Sequence, residues 1–182
     1  LNILKMVQFE LRKWQSSDLE SLVKHANNDR IARFLTDQFP YPYTLQNGER
    51  FLDNVLSQEP AKILAIAVDG NAVGSIGVFP QQDIHCLNAE MGYWLSESCQ
   101  GRGIMSAAIR LMVEYGFRTF SVDRIFARPF GSNIASQRVL EKAGFRLEAR
   151  FPDSLLKNGE ILDELVYGIR RSDFFGKPSD KH

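Results

Sequence analysis

The sequence predicts one mixed α/β domain, and three observations predict it. Lys62 to Val68 and Ala72 to Phe79 are apolar runs on either side of Asp69-Gly70-Asn71, the pattern of a hairpin. Asn88 to Leu95, then Gln100-Gly101-Arg102-Gly103-Ile104-Met105, then an amphipathic segment from Ile104 to Phe117 read as strand, glycine turn and helix. A further strand, helix and two strands follow between Arg124 and Arg170. A meander followed by strand–helix–strand units belongs to the mixed class.

Taken in order, Phe9-Glu10-Leu11-Arg12-Lys13-Trp14 alternates apolar and polar residues and predicts a first strand. Ser16 or Ser17 is placed to cap a helix through about Asn27, with Leu19, Leu22 and Val23 on one face. A short helix is expected over Arg30 to Leu35. Phe39-Pro40-Tyr41-Pro42-Tyr43 is a loop, because proline removes donors that helices and ladders need. Thr44 caps the next helix, whose apolar positions are Phe51, Leu52, Val55 and Leu56. After the hairpin and the glycine turn, Arg124 to Arg128 is a short strand. Asn133 to Ala143 is a helix closed by Gly144 in the left-handed cap position. Phe145 to Arg150 and Asp163 to Arg170 end the fold as two strands joined near Asn158-Gly159.

Composition bounds the function. The 182 residues are 44% hydrophobic and 24% charged, enough for a full core. Lysine plus arginine equal aspartate plus glutamate at 22 each, so the chain lacks the basic excess of a nucleic-acid binder. Cys86 and Cys99 make no disulfide framework and point to a reducing compartment, the cytoplasm by default. No apolar run is long enough to span a bilayer or serve as a signal peptide, so no membrane partner is expected. The chain begins at Leu1, and residues 1–5 read as a leader ahead of Met6.

The glycine turn carries the chemistry. A strand, a glycine turn and a helix start aim several backbone N–H groups at one spot, where phosphate oxygens bind. A Walker A loop needs a Gly-Lys-Ser/Thr ending that no segment supplies, and a dinucleotide fingerprint needs a third glycine where Ser106 stands. What remains is Gln100-x-x-Gly103-x-Met105, which by itself suits an ordinary tight turn better than a phosphate loop.

A second segment, Asn133-Ile134-Ala135-Ser136-Gln137-Arg138-Val139-Leu140-Glu141-Lys142-Ala143-Gly144-Phe145, narrows this. Together the two segments resemble the GNAT N-acetyltransferase superfamily. The first is similar to its pyrophosphate loop and the second to its Asn-x-x-Ala/Ser…Lys-x-Gly-Phe helix. The likeness is to the RimJ/RimL type, which acetylates protein N-terminal amines and some small amines. Phe9-Glu10-Leu11-Arg12, Pro40-Tyr41-Pro42-Tyr43-Thr44, Ala89-Glu90-Met91-Gly92-Tyr93-Trp94-Leu95 and Asn158-Gly159…Asp163…Tyr167-Gly168…Arg171…Asp173 agree in order. The resemblance runs from about residue 8 to about residue 174. It implies one domain over 1–182, with a mixed, mostly antiparallel, twisted sheet of about seven strands flanked by helices and split between the fourth and fifth strands.

The resemblance also implies the reaction: acetyl transfer from acetyl-CoA to an amine acceptor by direct attack, on a monomer or homodimer. Backbone N–H groups of Gln100, Gly101, Arg102, Gly103, Ile104 and Met105 would hold the pyrophosphate. N–H groups around Trp94 and Leu95 would face the pantetheine and the thioester carbonyl, and such oxyanion donors are among the larger catalytic contributions. Asn133 matches the family asparagine ahead of the second helix, and it also suits a plain N-cap. Arg102 has two readings, a phosphate contact or a solvated charge; Arg138 reads as a surface residue.

An N-terminal amine has a pKa near ~8 and lysine one near ~10.4, so a base is needed. Glu90 is the candidate, because a carboxylate desolvated in an apolar strand rises toward general-base values. The alternatives are a surface or salt-bridged Glu90 with a water chain as base. Two positions depart from the family pattern. Met105 stands where the consensus has glycine or alanine, which spares the backbone N–H. Leu140 stands where many members carry a tyrosine that protonates the leaving thiolate. Ser136, in the first helical turn, is then the candidate donor to the sulfur, against a reading as a small packed residue.

Among the aromatic residues Trp14, Phe34, Phe39, Tyr41 and Tyr43, only the loop from Phe39 to Tyr43 is credited as an acceptor wall. His25, His85 and His182 have no metal-ligand spacing, and no Ser/His/Asp or Cys/His pattern stands out. No metal and no acyl-enzyme are expected, with Cys99 incidental. Two other functions compete: acetylation of a polyamine, antibiotic or amino acid, and a CoA-binding module without catalysis, which Leu140 motivates.

Overall fold

A computed structural model describes residues 8–176; residues 1–5, read above as a leader, Met6 and His182 lie outside the described residues. The chain forms two compact units, one from the residues up to Gly77 together with Tyr93–Ala108, the other from Val78–Gly92 and the residues from Ile109 onward.

In the first unit, β1 (Glu10–Arg12) is shorter than the predicted strand, and α1 (Leu19–Ala26) follows a 3-10 turn over Ser16–Asp18. Neither serine sets the start of this turn. Asp18 does: it accepts the Gln15 N–H at 2.9 Å and takes Arg12 bidentately, Nη1 at 2.7 Å and Nη2 at 2.8 Å. Sequence patterning favoured the serines because Ser is a common cap, but Asp18 accepts from both backbone and guanidinium at once. Burial pushes the Asp18 carboxyl up, yet the Arg12 hydrogen bonds, the Gln15 amide and the Arg12 charge outweigh it and hold the pKa below the ordinary value. A carboxyl with a lowered folded pKa stabilises above its unfolded pKa of ~3.9 and loses that contribution as pH falls further. Asp18→Asn is therefore expected to lower stability by about 1–2 kcal/mol at neutral pH. Thermal melts at pH 7 and near pH 3 check this, since the gap from wild type should close at the acid end.

α2 (Asp29–Ala32) and α3 (Leu45–Leu56) follow. Thr44 caps α3 as expected: Asn47 N–H donates to its Oγ1 at 3.2 Å, and Thr44 N–H donates to Asn47 Oδ1 at 2.9 Å. Leu52 and Val55 of α3 and Leu22 and Ala26 of α1 meet Trp14, Ile31, Tyr43, Ala65, Ala72 and Trp94 in one core. β2 (Ile63–Val68) and β3 (Asn71–Pro80) form the expected hairpin, with Asp69 and Gly70 at φ 49° and 79°. Two left-handed residues match the primed turn that suits the twist of paired strands.

β4 (Asn88–Leu95) and α4 (Ile104–Thr119) flank the glycine turn. In the second unit, β5 (Arg124–Ala127), α5 (Ile134–Lys142), β6 (Arg146–Lys157) and β7 (Glu160–Arg170) follow, then α6 (Arg171–Phe175). Gly144 closes α5 at φ 98°, and Asn158 and Gly159 turn β6 into β7 at φ 52° and 80°. Both strands run longer than predicted, because pairing with each other extends them past their apolar stretches. Patterning gave no sign of α6, which forms where Phe174 and Phe175 stack with Phe117.

The described strands form one sheet in the order β1-β2-β3-β4-β5-β7-β6. β4 and β5 are parallel, while β1–β2, β2–β3, β5–β7 and β7–β6 are antiparallel. The mixed, mostly antiparallel seven-stranded sheet expected from the sequence is the fold observed. Pairing of β4 with β5 covers only Asn88↔Arg124, Ala89↔Ile125 and Glu90↔Phe126. No helix of the described residues is long and apolar enough to cross a membrane.

Candidate active site

The first unit holds the glycine turn. β4 ends at Leu95, a 3-10 turn covers Glu97–Cys99, and α4 starts at Ile104. Gln100 folds back, its Nε2 donating to the Leu95 carbonyl at 3.0 Å. Gly101 and Gly103 sit at φ 72° and 77°, and a Cβ added to either would meet nothing within 4 Å. Glycine is required here by backbone conformation rather than by space. The first backbone helical bond of α4 runs from Ala107 N–H to the Gly103 carbonyl at 3.3 Å, so helix geometry leaves the earlier amides without intrahelical acceptors. Arg102 is exposed, Met105 half-buried and Ile104 buried. A helix start whose first amides lack intrahelical acceptors suits an anion such as a diphosphate.

The turn is braced from α1 and α2. His25 Nδ1 lies 2.8 Å from Ser96 Oγ, and Ser96 Oγ lies 3.1 Å from Ser98 Oγ. Burial, then the Lys24 charge, push the His25 pKa down, which favours neutral imidazole. Asn28 Nδ2 and Arg30 Nη1 donate to the two Glu97 carboxylate oxygens at 3.1 and 2.5 Å. Ser96 N–H also donates to the Val73 carbonyl at 2.7 Å. These braces escaped sequence reading because His25, Asn28 and Arg30 lie some seventy residues from their partners.

Trp94 and Leu95 are buried, and the Trp94 indole belongs to the core beside Phe39, with ring centroids 6.1 Å apart. Gly74 of β3 packs against this strand end: a Cβ there would come 2.6 Å from the Trp94 carbonyl oxygen. What Trp94 and Leu95 can offer a ligand is therefore backbone. The aromatic residues separate. Trp14 and Tyr43 are core, and burial pushes the Tyr43 phenol up to about 12. Phe34 is half-buried under the Arg33 guanidinium, 4.6 Å from the ring centroid. In the loop credited as an acceptor wall, Phe39 is half-buried and Tyr41 is 54% exposed.

The second unit holds Glu90, Asn133 and Ser136. Along β4, Ala89 and Met91 are buried while Asn88 and Glu90 alternate onto the other face, so strand pleating turns Glu90 away from the core. Burial raises its carboxyl above the ordinary glutamate value; Arg128 opposes this and Glu164 adds to it. Asn133 Oδ1 accepts the Ser136 N–H at 3.1 Å, so Asn133 caps α5. Ser136 is half-buried in the first turn, and Leu140 is fully buried in the core. Gln137 Nε2 donates to the Gly131 carbonyl at 2.9 Å and stiffens the approach to the helix.

Sequence reading missed Arg128 and Glu164. Arg128 Nε and Nη2 donate to Glu164 Oε1 and Oε2 at 2.8 and 3.0 Å, and Glu164 is only 9% exposed. Part of the signal was present: Glu164 is an acid directly ahead of the apolar run Leu165-Val166-Tyr167, and a carboxylate in an apolar strand is the cue that singled out Glu90. Among the described residues no cluster of three or more His, Cys, Asp or Glu is arranged to hold a metal. Cys86 is exposed and Cys99 buried, both as free thiols.

A model described as an acetyltransferase (GNAT) domain matches residues 8–146. The "Probable N-acetyltransferase YjcK" of Bacillus subtilis (strain 168) is 36% identical over 107 residues, which is 59% of this chain and 59% of that relative's length. The L-amino acid N-acetyltransferase AaaT of Escherichia coli (strain K12) is 29% identical over 160 residues, 87% of this chain and 95% of its own. Among solved structures, RimL, a ribosomal L7/L12 alpha-N-protein acetyltransferase in complex with coenzyme A, is 25% identical. It aligns with a TM-score of 0.77 over 90% of this chain and 96% of its own.

Proposed function

This chain belongs to the acetyltransferase (GNAT) family, so its reaction class is acyl-CoA-dependent N-acetylation, and we propose that a primary amine attacks the acetyl-CoA thioester directly with Glu90 as base. On this reading both units belong to one acetyltransferase domain spanning about residues 8–174. The observation that carries it is a carboxylate raised by burial on the strand that leads into the glycine turn.

Each part of the reading has a physical reason. Backbone donors from Gln100 to Met105 hold the pyrophosphate of acetyl-CoA, and amides near Trp94 and Leu95 receive the charge that grows on the thioester oxygen. Glu90 takes the proton that the attacking ammonium must lose, the task for which a carboxyl pKa above the ordinary range is suited. Leu140 offers no hydroxyl where many members place a tyrosine, so Ser136 is assigned the donation to the departing thiolate. Asn133 orders the first turn of α5 in which Ser136 sits. Arg102 meets a phosphate.

The acceptor is the N-terminal amine of a protein or a small-molecule amine. RimL, a ribosomal L7/L12 alpha-N-protein acetyltransferase, supports the first, and AaaT, an L-amino acid N-acetyltransferase, the second. The balanced charge and the unpaired cysteines fit a cytoplasmic enzyme, monomeric or homodimeric, that meets neither nucleic acid nor membrane. The test is an acceptor screen with acetyl-CoA that reads free thiol release across N-terminal peptides, amino acids and polyamines. Amine-dependent release supports the reading. Tight acetyl-CoA binding with no release for any amine makes the chain a CoA-binding module instead.

A further inference from the structure

We propose that Arg128 and Glu164 form a positioning pair that sets the proton affinity of Glu90. This rests on Glu90 as the base, and it assigns to the two residues a role beyond holding the sheet together.

The pair is built by strand register. Glu90 of β4 stands opposite Phe126 of β5, and Arg128 follows Phe126 by two residues on the same face. Just beyond β5 the chain continues alongside β7: Leu165 N–H donates to the Pro129 carbonyl at 3.0 Å, and Phe130 bridges to Glu164. This register brings the Glu164 carboxylate to the Arg128 guanidinium in a two-bond fork. Glu164 is the one buried glutamate among the described residues. A buried negative charge near Glu90 favours its protonated form, and the fork sets the opposing Arg128 charge beside it.

The other charges on this face are engaged elsewhere. Arg124 of β5 donates from Nε to both Glu148 carboxylate oxygens, at 3.1 and 3.0 Å, and from Nη1 to Asn88 Oδ1 at 2.9 Å. Its guanidinium also covers the Phe126 ring at 4.6 Å. Glu148 of β6 reaches Arg124 across Gly168, where an added Cβ would run into the Glu148 carboxylate. β3 contributes Phe79 near Gly92 and no charge. α4 packs on the opposite face, with Gly116 against Ile125 and Val78. Glu90 therefore responds to burial, to Arg128 and to Glu164.

The pair makes an unusual demand on its variants, because its two halves act on Glu90 with opposite sign. Arg128→Gln leaves Glu164 as an uncompensated neighbour, so the Glu90 titration should move to higher pH. Glu164→Gln leaves the Arg128 charge to Glu90 alone, so the titration should move to lower pH. Arg128→Lys restores the charge and should return the midpoint toward wild type, as should the double variant Arg128→Gln/Glu164→Gln, which removes both effects.

The experiment is a carboxyl 13C NMR titration of the full chain labelled at glutamate Cδ, with the Glu90 signal identified by its loss in Glu90→Gln. Opposite shifts in the two single variants support the proposal. No shift, or shifts of the same sign in folded variants, overturns it. Glu164→Gln is nearly isosteric and gives the sign test even if Arg128→Gln fails to fold. The base assignment fails separately: if Glu90→Gln keeps wild-type turnover, Glu90 is not the base, whatever the titration shows.

Discussion

Glu90→Gln is expected to lower kcat by about 10²–10⁴-fold while leaving the affinity for acetyl-CoA close to wild type. Glutamine keeps the size and the polar tip of the side chain but cannot accept the amine proton. Glu90 sits on β4 opposite Phe126 and is not one of the residues of the glycine turn, so the loss should fall on turnover rather than on cofactor binding. The pH dependence carries the sign. Burial holds the Glu90 carboxyl above the ordinary glutamate range, and Arg128 only partly offsets this. A base works when ionised, so kcat should fall as pH drops through that raised value, above the ~4.3 of free glutamate. The variant should lose this dependence. Steady-state kcat against pH for both proteins decides the matter, and a variant rate within a few-fold of wild type would hand the role to water.

Gly103→Val should weaken acetyl-CoA binding by roughly 10–100-fold, following from about 1–3 kcal/mol of backbone strain. Gly103 holds φ 77°, a conformation that a β-branched residue enters only at high cost, yet no atom lies within 4 Å of the added Cβ. The chain can relieve the strain only by rotating the peptide units that aim the loop's amides. Calorimetric titration with acetyl-CoA measures the effect, alongside a thermal melt. Unchanged affinity would remove the loop from the cofactor site. Gly74→Ala is the useful contrast. Its backbone is ordinary, but its Cβ would lie 2.6 Å from the Trp94 carbonyl, so its effect should appear as lost stability.

Much of the fold was legible because its signals are local. Apolar runs marked β3 and β4, Thr44 marked the start of α3, and Asp69-Gly70 and Asn158-Gly159 marked two hairpin turns. Each depends on neighbours a few residues apart. Errors came where distant partners decide. Asp18 replaced the serines at the first helix because Arg12 folds back onto it. α6 forms against Phe117, fifty-seven residues before Phe174. Trp14 and Tyr43, named with the possible acceptor wall, are core residues because α1, α2, α3 and the strands close over them.

The candidate site divides along the same line. By itself the sequence determined the glycine turn, the helix starting at Ile104 and the capped turn at Asn133, because φ preference, capping and strand periodicity act within one stretch of chain. The sequence placed Glu90 on the strand ahead of the turn but left its face open; the fold puts Glu90 opposite Ala89 and Met91. Only the tertiary structure decided what Glu90 meets there. The Arg128–Glu164 fork joins residues thirty-six apart and exists because β5 and β7 pair in one register; a slip of one residue would turn Glu164 to the other face. Electrostatics at a base depends on such neighbours in space, and the order of residues along the chain does not contain them.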